Sequence, residues 1–436
     1  MTTTAENELL TRVGPGTPMG ALMRQYWLPA CLSTELTADG DPLRLMLLGE
    51  KLIAFRDSAG RIGVLDHRCP HRCASLFFGR NEEGGLRCVY HGWKFDTAGN
   101  CLEMPNLPID QEALPKIKAK SYQVAERGGV VYVYMGERAK APPLPALEAT
   151  VLAPDETYVY CAQRECNWLQ ALEGDIDTSH FSFLHTGKVE VGHVDPDHPE
   201  RFQLIDRAPR YHVQATDWGA MYAAYRPAQP GHLYYRFAHF VMPFWTLPNG
   251  PLTDNIIAQA WVPMDDTHVM SFQYAWRHRT QPLSVTRTGA PIPYLERQVA
   301  TLPNTPDWFG RWVPVANSGN DYLIDRDSQR TVSFTGIASV FGQDSAVTVS
   351  MGEISDRTLE HLAPSDRMIV MTRLRLLGAA RALRDSGTVP PLVDDPSVSY
   401  GARSGDMFAP EDQPWLEAYE ETLRQAQHPE MLQAAE

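Results

Sequence analysis

The hydrophobic pattern of the first third of the chain predicts short antiparallel strands. Apolar runs at residues 43–48, 52–55 and 62–65 are separated by turn residues, and residues 129–134 form a further run. Runs of this length between turns are typical of hairpin-linked strands. Residues 18–26 instead predict a short helix that begins at Pro18, where the missing N–H costs nothing. We therefore predict an N-terminal helical segment over residues 1–26 and an all-β domain over residues 27–140.

A larger domain of the α+β class is predicted over residues 156–436. The linker before it, residues 138–155, contains four prolines that exclude a regular helix or central strand. Strands of an antiparallel sheet are predicted from apolar and aromatic runs at 158–161, 210–215, 234–237 and 268–274. The β-branched run at 347–351 is also strand-like.

A long helix is predicted near the C-terminal end of this domain. It should begin around residues 364–366 with Ser365 as its cap and end at Gly387, which suits the position after a last helical turn. Its apolar residues recur at helical spacing and are expected to face the core: Met368, Met371, Leu374 and Leu377. The proline-rich residues 281–306 predict a long surface loop or a pocket lid.

Composition and charge narrow the class of protein. The chain has 436 residues, 43% of them hydrophobic and 21% charged, which argues against disorder. It contains no apolar run long enough for a membrane helix or a secretory signal. Seven cysteines are an odd set that suits a reducing compartment, so we expect a cytoplasmic protein. The net charge of −14 disfavours nucleic acid as a partner.

Two short motifs predict an iron–sulfur cluster. Cys69-Pro70-His71 and Cys88-Val89-Tyr90-His91 each place one cysteine and one histidine in a loop. Two thiolates on one iron and two imidazoles on the other are the ligand set of a Rieske [2Fe–2S] cluster, which carries electrons one at a time. The alternative is a structural Cys2His2 zinc site. Zinc fingers usually pair cysteine with cysteine and histidine with histidine, whereas here both loops repeat the order cysteine then histidine.

The surroundings of these motifs distinguish types of Rieske protein. Respiratory Rieske proteins brace the cluster with a disulfide, and the position of its second cysteine is held here by Tyr90. The motifs therefore resemble the oxygenase and ferredoxin type. Cys73 stands where a glycine is expected, and we expect it to be a small buried thiol beside the cluster and not a ligand.

A second metal site is predicted in the segment 167–185. Asp177, His180 and His185 form an Asp-x2-His-x4-His array. Two imidazoles and one carboxylate from elsewhere make the facial triad of a non-heme Fe(II) site, which keeps positions open for O₂ and substrate. Residues five apart on a regular helix point about 140° from each other. We therefore predict a π-bulge or a break between His180 and His185. The alternative is two buried, hydrogen-bonded core histidines.

Across nearly its whole length the chain resembles the oxygenase component of Rieske non-heme iron ring-hydroxylating systems, most of all the phthalate dioxygenase group. The likeness is carried by both metal motifs and by residues 7–20, 75–83 and 356–362. The resemblance implies a helix-grip catalytic domain, in which an antiparallel sheet grips a long C-terminal helix. It also implies a head-to-tail trimer, or a hexamer of two stacked trimers.

The resemblance also implies roles for two carboxylates. Asp177 would bridge His180 to a Rieske histidine of a neighbouring subunit, since residues three apart share a helix face. The carboxylate ligand of the iron would be Asp344, with Asp325, Asp327 and Asp356 as alternatives. The ligand sets expected are therefore Cys69, His71, Cys88 and His91 for the cluster and His180, His185 and Asp344 for the mononuclear iron.

Aromatic carboxylates of the phthalate or benzoate type are the substrates that the resemblance suggests. Binding one in an acidic protein requires an arginine in the pocket. Arg207 is the first candidate, with Ser179 and Asn167 as further polar contacts and Arg210, Arg226 and Arg236 as alternatives to Arg207. Where a second carboxylate-binding arginine is expected, residues 240–245 are apolar. A monocarboxylate, or a dicarboxylate with another geometry, is therefore at least as plausible as phthalate.

These inferences predict the terminal oxygenase of a multicomponent enzyme. A flavin and iron–sulfur reductase would pass electrons from NADH to the cluster, and the iron would use O₂ to convert the aromatic acid to a cis-diol. The alternative with the same machinery is an O-demethylating monooxygenase acting on a methoxybenzoate. An electron carrier or iron sensor is the alternative from another class, and the second metal site argues against it.

Overall fold

The computed structural model describes residues 2–111 and 116–428. The N-terminal segment forms two short helices, α1 (Thr4–Thr11) and α2 (Pro18–Met23), which contact the long C-terminal helix of the chain. The predicted helix does begin at Pro18, behind a Thr17 side chain that accepts from the N–H of Gly20, but it ends at Met23 and not at residue 26.

The predicted β domain is present and consists of two antiparallel sheets. Six strands form the first sheet in the order β1-β10-β9-β4-β3-β2, and four short strands form the second in the order β5-β6-β7-β8. The strands are β1 (Trp27–Leu32), β2 (Leu43–Leu47), β3 (Glu50–Arg56), β4 (Ile62–Asp66), β5 (Arg80–Glu82), β6 (Gly85–Arg87), β7 (Lys94–Phe95), β8 (Cys101–Glu103), β9 (Ser121–Arg127) and β10 (Val130–Tyr134). One cysteine–histidine loop follows β4, and the other joins β6 to β7.

The larger domain is built on the predicted antiparallel sheet, which has eight strands. Seven strands run in the order β11-β17-β16-β15-β14-β13-β12, and β18 pairs with β14. The strands are β11 (Thr157–Arg164), β12 (Arg210–Thr216), β13 (Gly219–Pro227), β14 (His232–Val241), β15 (Trp245–Leu247), β16 (Ile257–Pro263), β17 (Val269–Trp276) and β18 (Gly405–Pro410). The helices of this domain are α3 (Glu148–Val151), α4 (Trp168–Asp175), α5 (Arg201–Ile205), α6 (Arg326–Thr331), α7 (Val340–Ser350), α8 (Arg367–Ser386) and α9 (Trp415–Arg424). Four of them, α3, α4, α8 and α9, pack against strands of the sheet.

The long helix α8 ends where the sequence predicts, but the predicted cap at its start is wrong. Gly387 has a φ of +67° and its N–H donates to the carbonyl of Leu383, so it ends the helix as predicted. Ser365 does not cap it: residues Pro364–Asp366 form a 3₁₀ turn, and the carboxylate of Asp366 accepts from the N–H of Ala363. The predicted apolar stripe is also partly wrong, because Leu374 is 60% exposed.

The β-branched run 347–351 is helical and not a strand. It forms the end of α7, which begins where the Ser339 hydroxyl accepts from the N–H of Gly342. The helix contacts α4. This packing and the cap outweigh the modest β propensity of Val347 and Val349. Among the described residues, no helix combines the length and the apolar character that crossing a bilayer requires.

A buried charge cluster fixes α4 against α8. The carboxylate of Glu173 accepts from Arg357 at 2.9 Å and from Nε and Nη2 of Arg373 at 2.6 and 3.0 Å, and Arg373 also binds Glu360. Burial raises the pKa of Glu173, but the two guanidinium groups outweigh burial and hold the pKa below its usual value. Glu173 is therefore ionised and positions the segment that leads to the second histidine motif.

Replacing Glu173 by glutamine should lower the stability of the catalytic domain by about 3 kcal/mol, because it leaves the Arg357 guanidinium buried without its carboxylate. Urea unfolding of the metal-loaded protein measures this loss. The matched control is Glu360→Gln, which removes a more exposed partner from Arg373 only and should cost less. Equal stability of Glu173→Gln and the wild type would contradict the pairing.

Candidate metal centres

The two cysteine–histidine loops adopt the same backbone fold. In each loop the cysteine carbonyl accepts from the N–H four residues later, with Cys73 to Cys69 and Gly92 to Cys88 both at 2.9 Å. In each loop the cysteine N–H donates to the carbonyl five residues later, with both distances 2.8 Å. Because the two loops repeat the same turn, each presents its cysteine and its histidine in an equivalent way.

The four side chains of these loops fit a Rieske cluster. Cys69 and Cys88 are buried, and the rings of His71 and His91 lie with their centroids 4.4 Å apart. Burial raises the pKa of Cys69 to about 12, so the thiol needs a metal cation to ionise. Trp93 stacks on His71 at 4.3 Å and donates its indole N–H to Asn106. The loops thus offer two buried thiols and two half-buried imidazoles.

The expectation that Cys73 is buried is wrong. It is exposed and not buried, and its φ of +60° matches the +79° of Gly92 at the equivalent position of the other loop. The left-handed backbone explains why a glycine is expected here. Cys73 therefore carries backbone strain that the second loop avoids.

Replacing Cys73 by glycine should leave the cluster intact and raise stability by up to about 1 kcal/mol, because it removes the left-handed strain. Iron content and urea unfolding measure the two effects. Ala74→Gly is the matched control: it stands outside the left-handed position and should cost about 0.5–1 kcal/mol. Loss of the cluster from Cys73→Gly would instead make Cys73 a ligand.

The second histidine motif contains the predicted irregular turn. Residues Phe181–His185 form a π-helical turn in which the N–H of Thr186 donates to the carbonyl of Phe181. The prediction of a π-bulge is confirmed. The wider turn brings both imidazoles to one side, since Nε2 of His180 lies 3.1 Å from Nε2 of His185.

The structure brings Asp344 to these two histidines. Its Oδ1 lies 3.1 Å from Nε2 of His185 and 3.5 Å from Nε2 of His180. Ligand atoms about 2.1 Å from one metal and at right angles to each other are roughly 3.0 Å apart. The three atoms form a triangle of about that size. The alternatives for the carboxylate lie elsewhere: Asp325 caps α6, Asp327 pairs with Arg330 and Asp356 accepts from Thr358.

The charge state of this triangle suits a cation. Burial raises the pKa of Asp344, but His185, His180 and Arg164 outweigh burial and lower it to about 2. Burial lowers the pKa of His180, and Asp177 and Asp344 outweigh burial and raise it. Asp344 is therefore a carboxylate at neutral pH, which is the state that a metal ligand requires.

Gln343 holds His185 and was missed by the sequence analysis. Its side-chain oxygen lies 2.7 Å from Nδ1 of His185, while its amide nitrogen donates to the carbonyls of Tyr294 and Ile337. With the oxygen fixed as an acceptor, His185 donates from Nδ1 and presents Nε2 as a lone pair. The only available signal was its position beside Asp344, because glutamine has no distinctive pattern.

Asp177 lies between His180 and solvent. Its Oδ1 accepts from the N–H and the hydroxyl of Ser179, both at 2.7 Å, and its Oδ2 lies 3.5 Å from Nδ1 of His180. Burial raises the pKa of Asp177, but His180 and Ser179 outweigh burial and lower it. The side chain is 23% exposed, so an ionised carboxylate contacts His180 and remains accessible from outside.

A cavity of about 90 Å³ opens beside the triangle and adjoins another of about 120 Å³. The first cavity is lined by the three residues of the triangle, His180, His185 and Asp344, and also by Phe181 and Val340. Several arginines border the two compartments: Arg236 and Arg297 the first, and Arg164, Arg279 and again Arg297 the second. Asp175, Asp177 and Glu200 line the first compartment as well, so the site combines a metal-binding triangle with a cavity of mixed charge.

The three residues first expected to bind substrate lie outside the cavity lining, whereas Arg236, one of the alternatives to Arg207, borders the cavity. Arg207 does not line either compartment, and its guanidinium reaches the carbonyl of Gly187 and the ring of Phe183. Asn167 caps α4 and donates to the carbonyls of Thr11 and Asp266, so its polar atoms are engaged in the core. Ser179 uses its hydroxyl on Asp177. The structure brings none of these three polar groups to the cavity lining.

Two family models cover most of the chain. Residues 26–123 match the Rieske [2Fe–2S] domain, and residues 133–435 match the family described as "LigXa C-terminal domain like". The β domain and the larger domain each correspond to one of these models.

Known proteins resemble the chain over nearly its full length. The 3-chlorobenzoate-3,4-dioxygenase oxygenase subunit of Comamonas testosteroni is 50% identical over 97% of this chain and 99% of its own. The phthalate 4,5-dioxygenase oxygenase subunit of Pseudomonas putida is 38% identical over 88% of this chain and 87% of its own. The solved structure of Pseudomonas putida CBB5 NdmA has a TM-score of 0.53 at 18% identity, covers 92% of this chain and 100% of its own, and shares the fold.

Proposed function

Because this chain belongs to the Rieske non-heme iron ring-hydroxylating oxygenases, as an oxygenase component of the phthalate dioxygenase-like group, we propose that its substrate is an aromatic carboxylate of the benzoate or phthalate type. The product would be a cis-diol that retains both atoms of O₂. Adding O₂ across a ring double bond consumes two electrons and two protons.

The observation that carries this proposal is the triangle of His180, His185 and Asp344 beside an arginine-bordered cavity. Two imidazoles and one carboxylate leave positions open on an iron. The arginines that border the two compartments offer hydrogen-bond and charge partners to an anionic substrate although the whole chain is acidic. The names of both full-length relatives describe dioxygenases of aromatic acids, which supports the same substrate class.

The chain's own residues hold and orient the two metal groups. Cys69, Cys88, His71 and His91 would hold the [2Fe–2S] cluster, and His180, His185 and Asp344 would hold the iron. When bound, the cluster supplies electrons one at a time and the iron activates O₂. Gln343 fixes the ring of His185, and Phe181 and Val340 offer apolar contacts to a substrate ring.

Membership of this family also supports a proposal for the oligomer and for the partner that supplies electrons. Oxygenase subunits of this kind work with a reductase and assemble into oligomers. We propose a trimer or hexamer in which the accessible oxygen of Asp177 meets a Rieske histidine of a neighbouring copy. We also propose that the reductase carries flavin and an iron–sulfur centre and takes its electrons from NADH.

A single-turnover experiment tests the reaction without the reductase. The holoprotein is reduced with dithionite, freed of excess reductant and exposed to ¹⁸O₂ with benzoate, 3-chlorobenzoate, phthalate or 3-methoxybenzoate. The proposal predicts a cis-diol that carries two ¹⁸O atoms from at least one unmethylated acid. Formaldehyde from 3-methoxybenzoate, with no diol from any acid, would contradict dihydroxylation and favour O-demethylation.

A further inference from the structure

Three buried carboxyl groups lie between the cavity of the metal-binding triangle and the surface. Glu200 precedes α5, is 3% exposed and borders the cavity of about 90 Å³ that the triangle also lines. Asp406 on β18 is 6% exposed, and Asp254, between β15 and β16, is 7% exposed. The backbone holds the last two together, because Pro251 and Asp406 form a β-bridge and the N–H of Leu252 donates to the carbonyl of Asp406. None of the three carboxyls belongs to an ion pair in the described part of the chain, so their burial requires another explanation.

Each of these carboxyls has one oxygen held by a hydrogen-bond donor. A backbone N–H donates to Oε1 of Glu200 at 3.2 Å, and the hydroxyl of Tyr234 donates to Oδ2 of Asp406 at 2.7 Å. The N–H and the hydroxyl of Thr280 donate to Oδ2 of Asp254 at 2.8 and 2.6 Å, and Thr280 is exposed. The three side chains are therefore fixed in place, and the outermost one contacts a residue at the surface.

The second oxygens of Glu200 and Asp254 have no protein donor. Both atoms, Oε2 of Glu200 and Oδ1 of Asp254, are buried and lack a hydrogen-bond partner among the residues that the structure describes. A buried acceptor without a donor is unfavourable, so it is satisfied by an internal water or by a proton on the carboxyl itself. Either of them makes the carboxyl part of a path that protons can follow.

The charges around Asp406 favour a proton on this carboxyl. Burial and then the charge of Glu200 raise the pKa of Asp406 to about 7. The hydroxyl of Tyr234 and the charge of Arg236 oppose this rise, and Asp254 adds to it. Arg236 lies directly opposite Asp406 where β14 pairs with β18. Asp406 can therefore both hold and release a proton at neutral pH.

At its inner end the row of carboxyls meets the charges of the cavity lining. Arg236 and Arg297 border the same cavity as Glu200. Burial lowers the pKa of Arg297, and the charge of Glu200 opposes burial. Asp175 and Asp177 are acidic groups of the same lining. Glu200 thus lies among groups of both signs, at the cavity where O₂ and substrate would bind.

We propose that Glu200, Asp406 and Asp254 form a proton relay from solvent to this cavity, an inference that rests on the proposed function. Addition of O₂ to the ring takes up two electrons, which come from the reductase, and two protons. Glu200 gives a proton to O₂ as O₂ is reduced, and Asp406 returns a proton to Glu200. Water at the surface restores the proton of Asp406 through Asp254. Each passage delivers one proton, so the protein is unchanged after two.

Infrared spectroscopy of the holoprotein detects the proton on Asp406 without turnover. Wild type at acidic pH should show the C=O stretching band of a buried carboxylic acid, and the band should disappear with a midpoint at about pH 7. Asp406→Asn should lack this band. Asp412→Asn is the matched control, because the same substitution at an exposed carboxyl just beyond β18 should leave the band unchanged.

Single-turnover formation of the diol at different pH values tests whether this proton is used. Wild type should slow as the pH rises through about 7, because Asp406 then loses the proton that it passes on. Asp406→Asn and Glu200→Gln should be at least about 10-fold slower, since a positioned proton donor contributes at least that factor, and Asp406→Asn should lose the pH dependence. Tyr234→Phe should move the decline to higher pH, because it removes a donor that favours the ionised carboxyl.

Iron content and melting temperature show whether each variant is folded and loaded with metal. A wild type without an infrared band that depends on Asp406, or an Asp406→Asn protein whose rate falls with pH as in wild type, would overturn the relay alone. An unshifted pH profile in Tyr234→Phe would do the same, because it would leave Asp406 a purely structural role. A wild type that forms no diol from any aromatic acid would overturn the proposed function and with it the relay, whatever the infrared titration shows.

Discussion

Replacing Asp344 by alanine should reduce the iron content from three to two per chain and lower product formation at least about 1,000-fold, a loss of about 4 kcal/mol in transition-state stabilisation. Asp344 supplies the only carboxylate of the triangle, and its oxygen lies 3.1 Å from His185. Two neutral imidazoles alone would hold a divalent iron weakly. The Rieske cluster is held by other loops and should remain.

Metal analysis and electron paramagnetic resonance of the reduced protein check this prediction together. The control is Asp356→Ala, the same substitution at an exposed loop carboxylate that accepts from Thr358. It should keep three irons and normal turnover. An Asp344→Ala protein with three irons and full activity would move the ligand to another carboxylate.

Replacing Asp177 by asparagine should retain all three irons and yet slow oxidation of the reduced cluster at least about 100-fold in a single turnover, a barrier increase of about 2.7 kcal/mol. Asparagine keeps the size of the side chain but removes the negative charge that faces Nδ1 of His180. It also replaces one of the two acceptor oxygens by an NH₂ donor, while the remaining oxygen is engaged by Ser179, so the acceptor available to a Rieske histidine of a neighbouring copy is lost. The effect should therefore fall on electron transfer and not on metal binding.

Stopped-flow measurement of cluster oxidation with O₂ and substrate provides the test, and calorimetry shows whether substrate still binds. Ser179→Ala is the matched control, because it removes only the hydroxyl that donates to Asp177 and leaves the carboxylate in place. It should slow oxidation by less than about 10-fold, since one neutral hydrogen bond is lost. Cluster oxidation at the wild-type rate in Asp177→Asn would contradict the bridging role.

Local patterns in the sequence were sufficient for the parts of the site that lie close together along the chain. The two cysteine–histidine loops are short, and their backbone turns repeat. The spacing of five between His180 and His185 was enough to predict the π-helical turn, because a regular helix cannot point both imidazoles to one side. Gly387 could be read as the end of α8, since only a left-handed residue suits that position.

Features that depend on tertiary packing could not be read in this way. Val347, Thr348 and Val349 have β-branched side chains, but a cap at Ser339 and the contact with α4 make this segment helical. Asn167 is polar and near the metal motif, yet it serves as a helix cap. Arg297 comes from an irregular segment without periodicity, so the sequence did not indicate that its guanidinium borders the cavity.

The exposure of Cys73 could not be predicted from its residue type. Its residue type suggested a buried thiol, but its environment is set by a left-handed turn at the surface of the loop. A resemblance to other loops identified the unusual position correctly without revealing why a glycine is favoured there. The backbone angle supplies that reason.

Iron quantification combined with pulsed paramagnetic resonance of the pure, reduced holoprotein shows whether the chain holds both metal groups. We expect three irons per chain, a reduced Rieske signal with couplings to two imidazole nitrogens, and a separate ferrous centre that binds nitric oxide at an open position. Two irons per chain, a cluster without nitrogen couplings, or a mononuclear iron that does not bind nitric oxide would contradict it.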